Sequence, residues 1–300
     1  MVLALFVDGV GLGPGDPAVN PLFAAAYPGL RDLLARAAPL DACLGVPGLP
    51  QSATGQVSIF TGLNAAAALG RHLPGFPGPR LRQLLWQDTF YHQLGRRGYR
   101  ATFLNAFSPG YLRGLASGGA PASATTLAAI AAGLPLRGPE QVCRREALYH
   151  DITGEGLGEQ GVMVPPLTPA AAAGVARRVA LAHDLTLFEF FLTDLAGHRG
   201  DQAATAAVLD RLDRFLAALT PSFEPPGPRD EEAGHDYLVV FSDHGNVEDA
   251  GAPGHTANPV PLAVWTTDPD GGRLAAGVES ITGIAELLVQ LCERGGAGGG

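Results

Sequence analysis

An α/β fold with a mostly parallel central sheet is the class this sequence predicts, and three observations predict it. Short apolar runs at 2–7, 186–192 and 237–241 read as buried strands, the second interrupted by Glu189. Each leads into an acidic residue: Asp8, Asp194 or Asp243. Helical spacing or Ala-rich composition fills the intervals, and strands that alternate with helices favour a parallel sheet. In such folds ligands gather beyond the carboxyl ends of the strands, so three acids emerging there predict a site.

Taken in order, the chain opens with the 2–7 strand, crosses a Gly/Pro-rich loop at 9–21 and enters a helix at 22–37. A small-residue turn at 51–56 precedes an apparent helix start at Val57. Helical spacing over 81–94 is followed by a strand at 99–104, then Asn105 and a Ser108-Pro109-Gly110 turn. Between 111 and 169 the order weakens, with an Ala-rich helix at 122–132, a charged patch at Arg144, Arg145 and Glu146, and Gly/Pro clusters. We read this stretch as an inserted cap. Order returns with a helix at 169–183, the strand into Asp194 and an amphipathic helix at 201–219. A Pro- and acid-rich surface loop at 221–234 leads to the 237–241 strand, another strand at 261–265 and a closing helix at 281–292. The expected organisation is one discontinuous core, 1–110 with 170–294, a small cap at 111–169 and a flexible tail at 295–300.

Composition narrows the function. The 300 residues suffice for one large core. A formal charge of −9 argues against a general nucleic-acid or anionic membrane surface. All 20 basic residues are arginine. Without lysine there is no Schiff base and no Walker-type phosphate lysine. Cys43, Cys143 and Cys292 have no paired spacing, which suggests neither a disulfide framework nor a thiolate metal site and fits a reducing compartment. The apolar start lacks a basic flank and ends at Asp8, too short for a signal peptide, so a cytoplasmic location is expected.

The chemistry resides in four segments: Phe6-Val7-Asp8-Gly9, Asp194 to His198, Ser242-Asp243-His244-Gly245-Asn246 and Gly254-His255-Thr256-Ala257-Asn258-Pro259. Their candidate ligands, Asp8, Asp194, His198, Asp243, His244 and His255, offer nitrogen and oxygen donors without sulfur. That set suits two divalent ions, Mn²⁺ or Zn²⁺ with Mg²⁺ as the alternative. Two such ions roughly 3.5–4 Å apart clamp a phosphoryl group. A nucleophile is available in the 51–56 turn, where Ser52 sits near a helix start among free amides, with Thr54 as its rival.

These segments, in this order, resemble the alkaline phosphatase superfamily, and within it the branch of cofactor-independent phosphoglycerate mutase and phosphopentomutase. That branch combines a strand ending in Asp, a Ser or Thr three residues before Gly, Asp-x-x-x-His, Asp-His-Gly-Asn and His-Thr-x-Asn-Pro-Val-Pro. Here these are Asp8, Ser52 before Gly55, Asp194 to His198, Asp243 to Asn246, and His255 to Pro261. The resemblance implies an alkaline-phosphatase-like three-layer core. It places Asp8, Ser52, Asp243 and His244 around one ion, and Asp194, His198 and His255 around the other. It also implies a phosphoserine intermediate and a small phosphorylated metabolite as partner. Two departures stand out. The mutase carries a large domain after the nucleophile where this chain has only residues 63–168, and Gln56 stands where the branch has His. The short insertion weighs toward a phosphomonoester hydrolase or phosphotransferase. The alternatives are an intramolecular phosphomutase on a phosphorylated sugar or sugar acid, a phosphonate or sulfate ester hydrolase, and a non-catalytic metal-binding protein. Arg71, His72, Asn105 and Arg113 are candidate substrate contacts.

Overall fold

The computed structural model describes residues 1–300 apart from 25, 225–233, 253, 269 and 296–300. Its strands are β1 (Val2–Val7), β2 (Ala38–Leu40), β3 (Ala101–Phe103), β4 (Asn105–Ala106), β5 (Leu148–Tyr149), β6 (Leu185–Phe190), β7 (Tyr237–Phe241) and β8 (Val260–Thr266). Six form one sheet in the order β2-β8-β7-β1-β6-β3, and β4 pairs with β5 in a separate two-stranded sheet. Strands β3, β6, β1 and β7 run parallel, whereas β8 and β2 pair antiparallel at one side.

The near-continuous apolar character of β1, β6 and β7 reflects burial on both faces. Val2, Ala4 and Phe6 point into one apolar cluster and Leu3, Leu5 and Val7 into the other. This is the period-2 alternation of a strand between two layers. The first layer contains the helices Ser52–Thr61, Pro79–Gln87 and Ile284–Gly295; the second contains Pro28–Arg36, Pro169–Ala180 and Gln202–Leu219. The result is a three-layer α/β architecture. Register aligns the strand ends: Val7 lies opposite Phe190, and Phe6 opposite Phe241. Asp8 and Asp243, each two residues beyond the Phe6–Phe241 pair, therefore leave the sheet side by side.

Several expected boundaries shift for local reasons. The 22–37 helix is a 3-10 turn, Pro21–Phe23, followed by Pro28–Arg36, because Pro28 takes the first helical turn where its missing amide costs nothing. The 81–94 segment is two helices, Pro79–Gln87 and Phe90–Arg96, separated where the Thr89 hydroxyl caps the amide of His92. The 186–192 strand ends at Phe190, and Asp194 lies in the first turn of the Leu192–Arg199 helix. The helix expected from Val57 begins five residues earlier, at Ser52. The closing helix opens with a 3-10 turn at Ile281–Gly283 and runs Ile284–Gly295. Most of the 221–234 loop and the tail beyond Gly295 lie outside the described residues.

Within 111–169, the Ala124–Ala131 helix packs into the first core cluster, whereas Val142, Ala147, Tyr149 and Leu157 form a small cluster of their own with Ala106. No described helix is long and apolar enough to cross a membrane.

Candidate metal centre and nucleophile

Strand ends and two loops bring the six ligand candidates to one edge of the sheet. Asp8 follows β1, its amide donating to the Phe190 carbonyl at 3.1 Å. Asp194 follows β6 across a short link, fixed where the Thr193 hydroxyl donates to the Asp8 carbonyl. Asp243 and His244 follow β7, and His255 precedes β8. Gly9 adopts φ 72°, and a Cβ there would lie 2.7 Å from the Asp194 Cβ, so the glycine permits both the turn and the approach.

The donors form two overlapping groups, Asp8–Asp243–His244 and Asp194–His244–His255. His244 Nε2 lies 3.3 Å from Asp8 Oδ1 and 3.5 Å from Asp243 Oδ2. Asp194 Oδ1 lies 3.4 Å from both His255 Nε2 and His198 Nε2. The imidazoles of His244 and His255 stack with centroids 3.8 Å apart. His198 sits at the rim, its Nε2 3.0 Å from His255 Nε2.

The electrostatics of the cluster suit a bound cation. Burial pushes the Asp8 carboxyl well above its usual range, and the charges of Asp243, Asp194 and Glu189 push it further. Asp8 Oδ1 and Asp243 Oδ2 are buried without a hydrogen-bond partner, a state that is costly unless something positive satisfies them. His255 Nδ1 donates to the Pro50 carbonyl at 2.9 Å, so Nε2 is the ring nitrogen presented to Asp194 and would be the one available to a metal ion. Burial lowers the His255 pKa, but the Asp194 bond outweighs it and the pKa is raised. Burial would also raise Asp194, yet the His255 bond, the nearby imidazoles and Asn246 hold it at about 2. His244, fully buried, is driven toward the neutral, ligand-competent form. The orphaned carboxylate oxygens and the imidazole nitrogens fit divalent metal ions.

Ser52 is the first residue of its helix, and its Oγ lies 3.0 Å from His244 Nε2. Thr54, by contrast, is fully buried, its hydroxyl donating to the Gln51 carbonyl and accepting from the Leu73 amide. Gln56 donates from Nε2 to Asp8 Oδ2 at 3.1 Å, so the side chain at this departure from the resembled pattern holds a candidate-ligand carboxylate. The Ser52–Thr61 helix comes close because Gly55 has no side chain: a Cβ there would meet the Asp243 carbonyl at 3.1 Å.

Two organising residues escaped the sequence reading. Glu248, fully buried, accepts from the amides of Gly11 (2.8 Å) and Asn246 (2.7 Å), from Asn258 Nδ2 (3.0 Å) and from the Thr256 hydroxyl. It ties the Asp8, Asp243 and His255 loops together. The neighbouring Asp249 caps the amide of Gly251. Glu189, in β6, accepts a bond from the Thr125 hydroxyl at 2.8 Å, and burial raises its pKa to about 7. Its position as the lone acid in an apolar strand was the available signal. Asn246 donates to Asp194 Oδ1 at 2.7 Å, which fixes the orientation of that carboxylate.

A cavity of about 550 Å³ opens onto Asp8, Ser52 and Asp194. Of the candidate substrate contacts, Asn105 borders it, but its amide is engaged with both backbone groups of Glu189. Arg71, His72 and Arg113 do not border it. His72 instead bonds to the carbonyls of Cys43 and Val46, clamping the loop before Ser52.

Comparison with known proteins gives these motifs a context. The Metalloenzyme superfamily model matches residues 168–293. A 2,3-bisphosphoglycerate-independent phosphoglycerate mutase of Natronomonas pharaonis is 34% identical over 138 residues, 44% of this chain and 25% of that protein. The aligned part is thus only a quarter of that relative's length. In structure, the alkaline phosphatase of the Antarctic bacterium TAB5 superposes with a TM-score of 0.57 at 13% identity, covering 98% of each chain. The phosphoglycerate mutase of Leishmania mexicana does so with a TM-score of 0.50 at 12% identity, covering 98% of this chain and 95% of that one.

Proposed function

We propose that this chain is a metal-dependent member of the alkaline phosphatase superfamily and, on that footing, a phosphomonoester hydrolase or phosphotransferase with Ser52 as nucleophile. The observation that carries the reading is the position of the Ser52 hydroxyl, at a helix N-terminus and 3.0 Å from a ligand imidazole of the metal cluster. In this reading Asp8, Asp243, His244 and Ser52 hold one divalent ion, and Asp194, His198 and His255 hold a second. Bound there, such ions supply charge neutralisation for phosphoryl oxygens and acidify a nearby hydroxyl.

The protein's own groups do the rest. The free amides and dipole of the Ser52–Thr61 helix favour an anionic oxygen and a phosphate at its start. Ser52 Oγ forms the new bond to phosphorus as the ester P–O bond breaks and the alcohol leaves. Water then cleaves the phosphoserine, releasing inorganic phosphate and regenerating the hydroxyl. Gln56 and Asn246 hold the carboxylates of Asp8 and Asp194 in place for both steps. A small phosphorylated metabolite is the partner, and the three free cysteines fit a cytoplasmic location.

One specific observation favours a second reading: the curated relatives matched are named as phosphoglycerate mutases. In a phosphomutase the phosphoserine would return its group to another hydroxyl of the same substrate beneath the 111–169 cap. Phosphate release from an aryl phosphate by metal-loaded protein, compared with Ser52→Ala, tests the hydrolase. Isomerisation of a phosphorylated sugar without phosphate release would favour the mutase.

A further inference from the structure

The cavity beside Ser52 is rich in rings and is bordered by no arginine among the described residues. Two groups of rings border it. Phe107 and Tyr111 stack with centroids 5.2 Å apart and planes 25° apart. Tyr149, His150 and Phe191 form a second group, with successive centroid separations of 3.9 and 4.6 Å. Phe76, half exposed, lies at the rim. The hydroxyl of Tyr111 is committed to the Pro121 carbonyl and that of Tyr149 to Gln160, which leaves the ring surfaces as the principal recognition surface. Burial holds the His150 imidazole at about 4, so this ring too is uncharged near neutrality.

The acidic groups that border the cavity are Asp8, Glu189 and Asp194. A sugar acid bound here would bring a second anion for which the cavity lining offers no guanidinium. A flat uncharged ring would instead meet aromatic faces. The cavity volume lies within the range of small-molecule sites.

We propose that the preferred substrates are phosphomonoesters whose alcohol carries a flat, uncharged aromatic ring, a nucleoside monophosphate being the model, with the ring held between the Phe107–Tyr111 and Tyr149–His150–Phe191 groups. This rests on the phosphoryl-transfer reading of Ser52 and adds the substrate class to it.

The test compares adenosine 5′-monophosphate with ribose 5-phosphate, two esters of a ribose 5′-hydroxyl that differ at the base. In metal-loaded wild type, kcat/KM for the nucleotide should be higher by at least about tenfold, the scale of one base–aromatic stack. Phe107→Leu and Tyr111→Leu should bring the ratio toward one while ribose 5-phosphate turnover stays within about twofold. Equal kcat/KM for the two esters in wild type would overturn the inference. If neither ester is turned over, calorimetric binding to Ser52→Ala decides: tighter binding of the nucleotide by the same factor supports the ring pocket, and equal binding overturns it. Undiminished phosphate release by Ser52→Ala would instead refute the nucleophile, leaving the ratio of the two esters to judge the pocket by itself.

Discussion

Asn246 Nδ2 donates to Asp194 Oδ1 at 2.7 Å, and the same nitrogen reaches the Asp194 backbone carbonyl at 3.2 Å. One amide from the loop after β7 therefore orients a candidate ligand from the helix after β6. It links the two halves of the candidate metal centre, so the halves should respond together to substitution.

Asp243→Asn and His255→Ala should each reduce bound metal and phosphate release in parallel. Mass-spectrometric metal content and turnover on one preparation would check this, and full metal content in both variants would contradict the ligand assignment.

Ser52→Ala should lower kcat by roughly a thousandfold or more, as loss of a covalent nucleophile does. Thr54→Ala should leave the chemistry intact. It removes a buried hydroxyl that bonds Gln51 and Leu73, at a cost of about 1–3 kcal/mol in stability. Steady-state kinetics beside denaturant melts separates the two residues, and the opposite pattern would make Thr54 the nucleophile.

Glu248→Ala should destabilise the fold by several kcal/mol, since it strands the buried amides of Gly11 and Asn246. Metal affinity should also fall, by roughly 10–100-fold, as ligand loops lose their shared anchor. Thermal unfolding with and without metal reads both effects. An unchanged affinity would restrict Glu248 to stability alone.

Glu189 predicts a pH effect in metal-free protein. Its carboxyl has a pKa of about 7 in the fold against an ordinary 4.5. The native state therefore binds the proton more tightly, and stability is full below about 4.5 and declines as pH rises through 7. The loss is on the order of 3 kcal/mol at most. Glu189→Gln should flatten this decline, and chemical denaturation between pH 4 and 8 measures it. An equal slope in both proteins would sink the assignment.

Arg71→Ala and Arg113→Ala should leave kcat/KM within about twofold, because neither side chain borders the cavity. A large rise in KM in either variant would show that the substrate extends beyond the cavity.

The sheet was legible in the sequence because β1, β6 and β7 are buried on both faces, and that burial writes itself as unbroken apolar runs. The candidate ligands were legible for a related reason: acids and histidines at the ends of such runs have no packing role. Helix boundaries were less so, since the Thr89 cap and the Pro28 start depend on single residues whose roles appear only in context. The sequence by itself thus determined the fold class, the acids at the strand ends and the candidate chemistry. Tertiary structure alone decided which loops Glu248 joins, that Thr54 is enclosed while Ser52 faces the cluster, and that rings rather than arginines border the cavity. The physical reason is range: strand and helix patterns arise from neighbours along the chain, whereas a hydrogen bond such as Gly11 to Glu248 joins groups 237 residues apart.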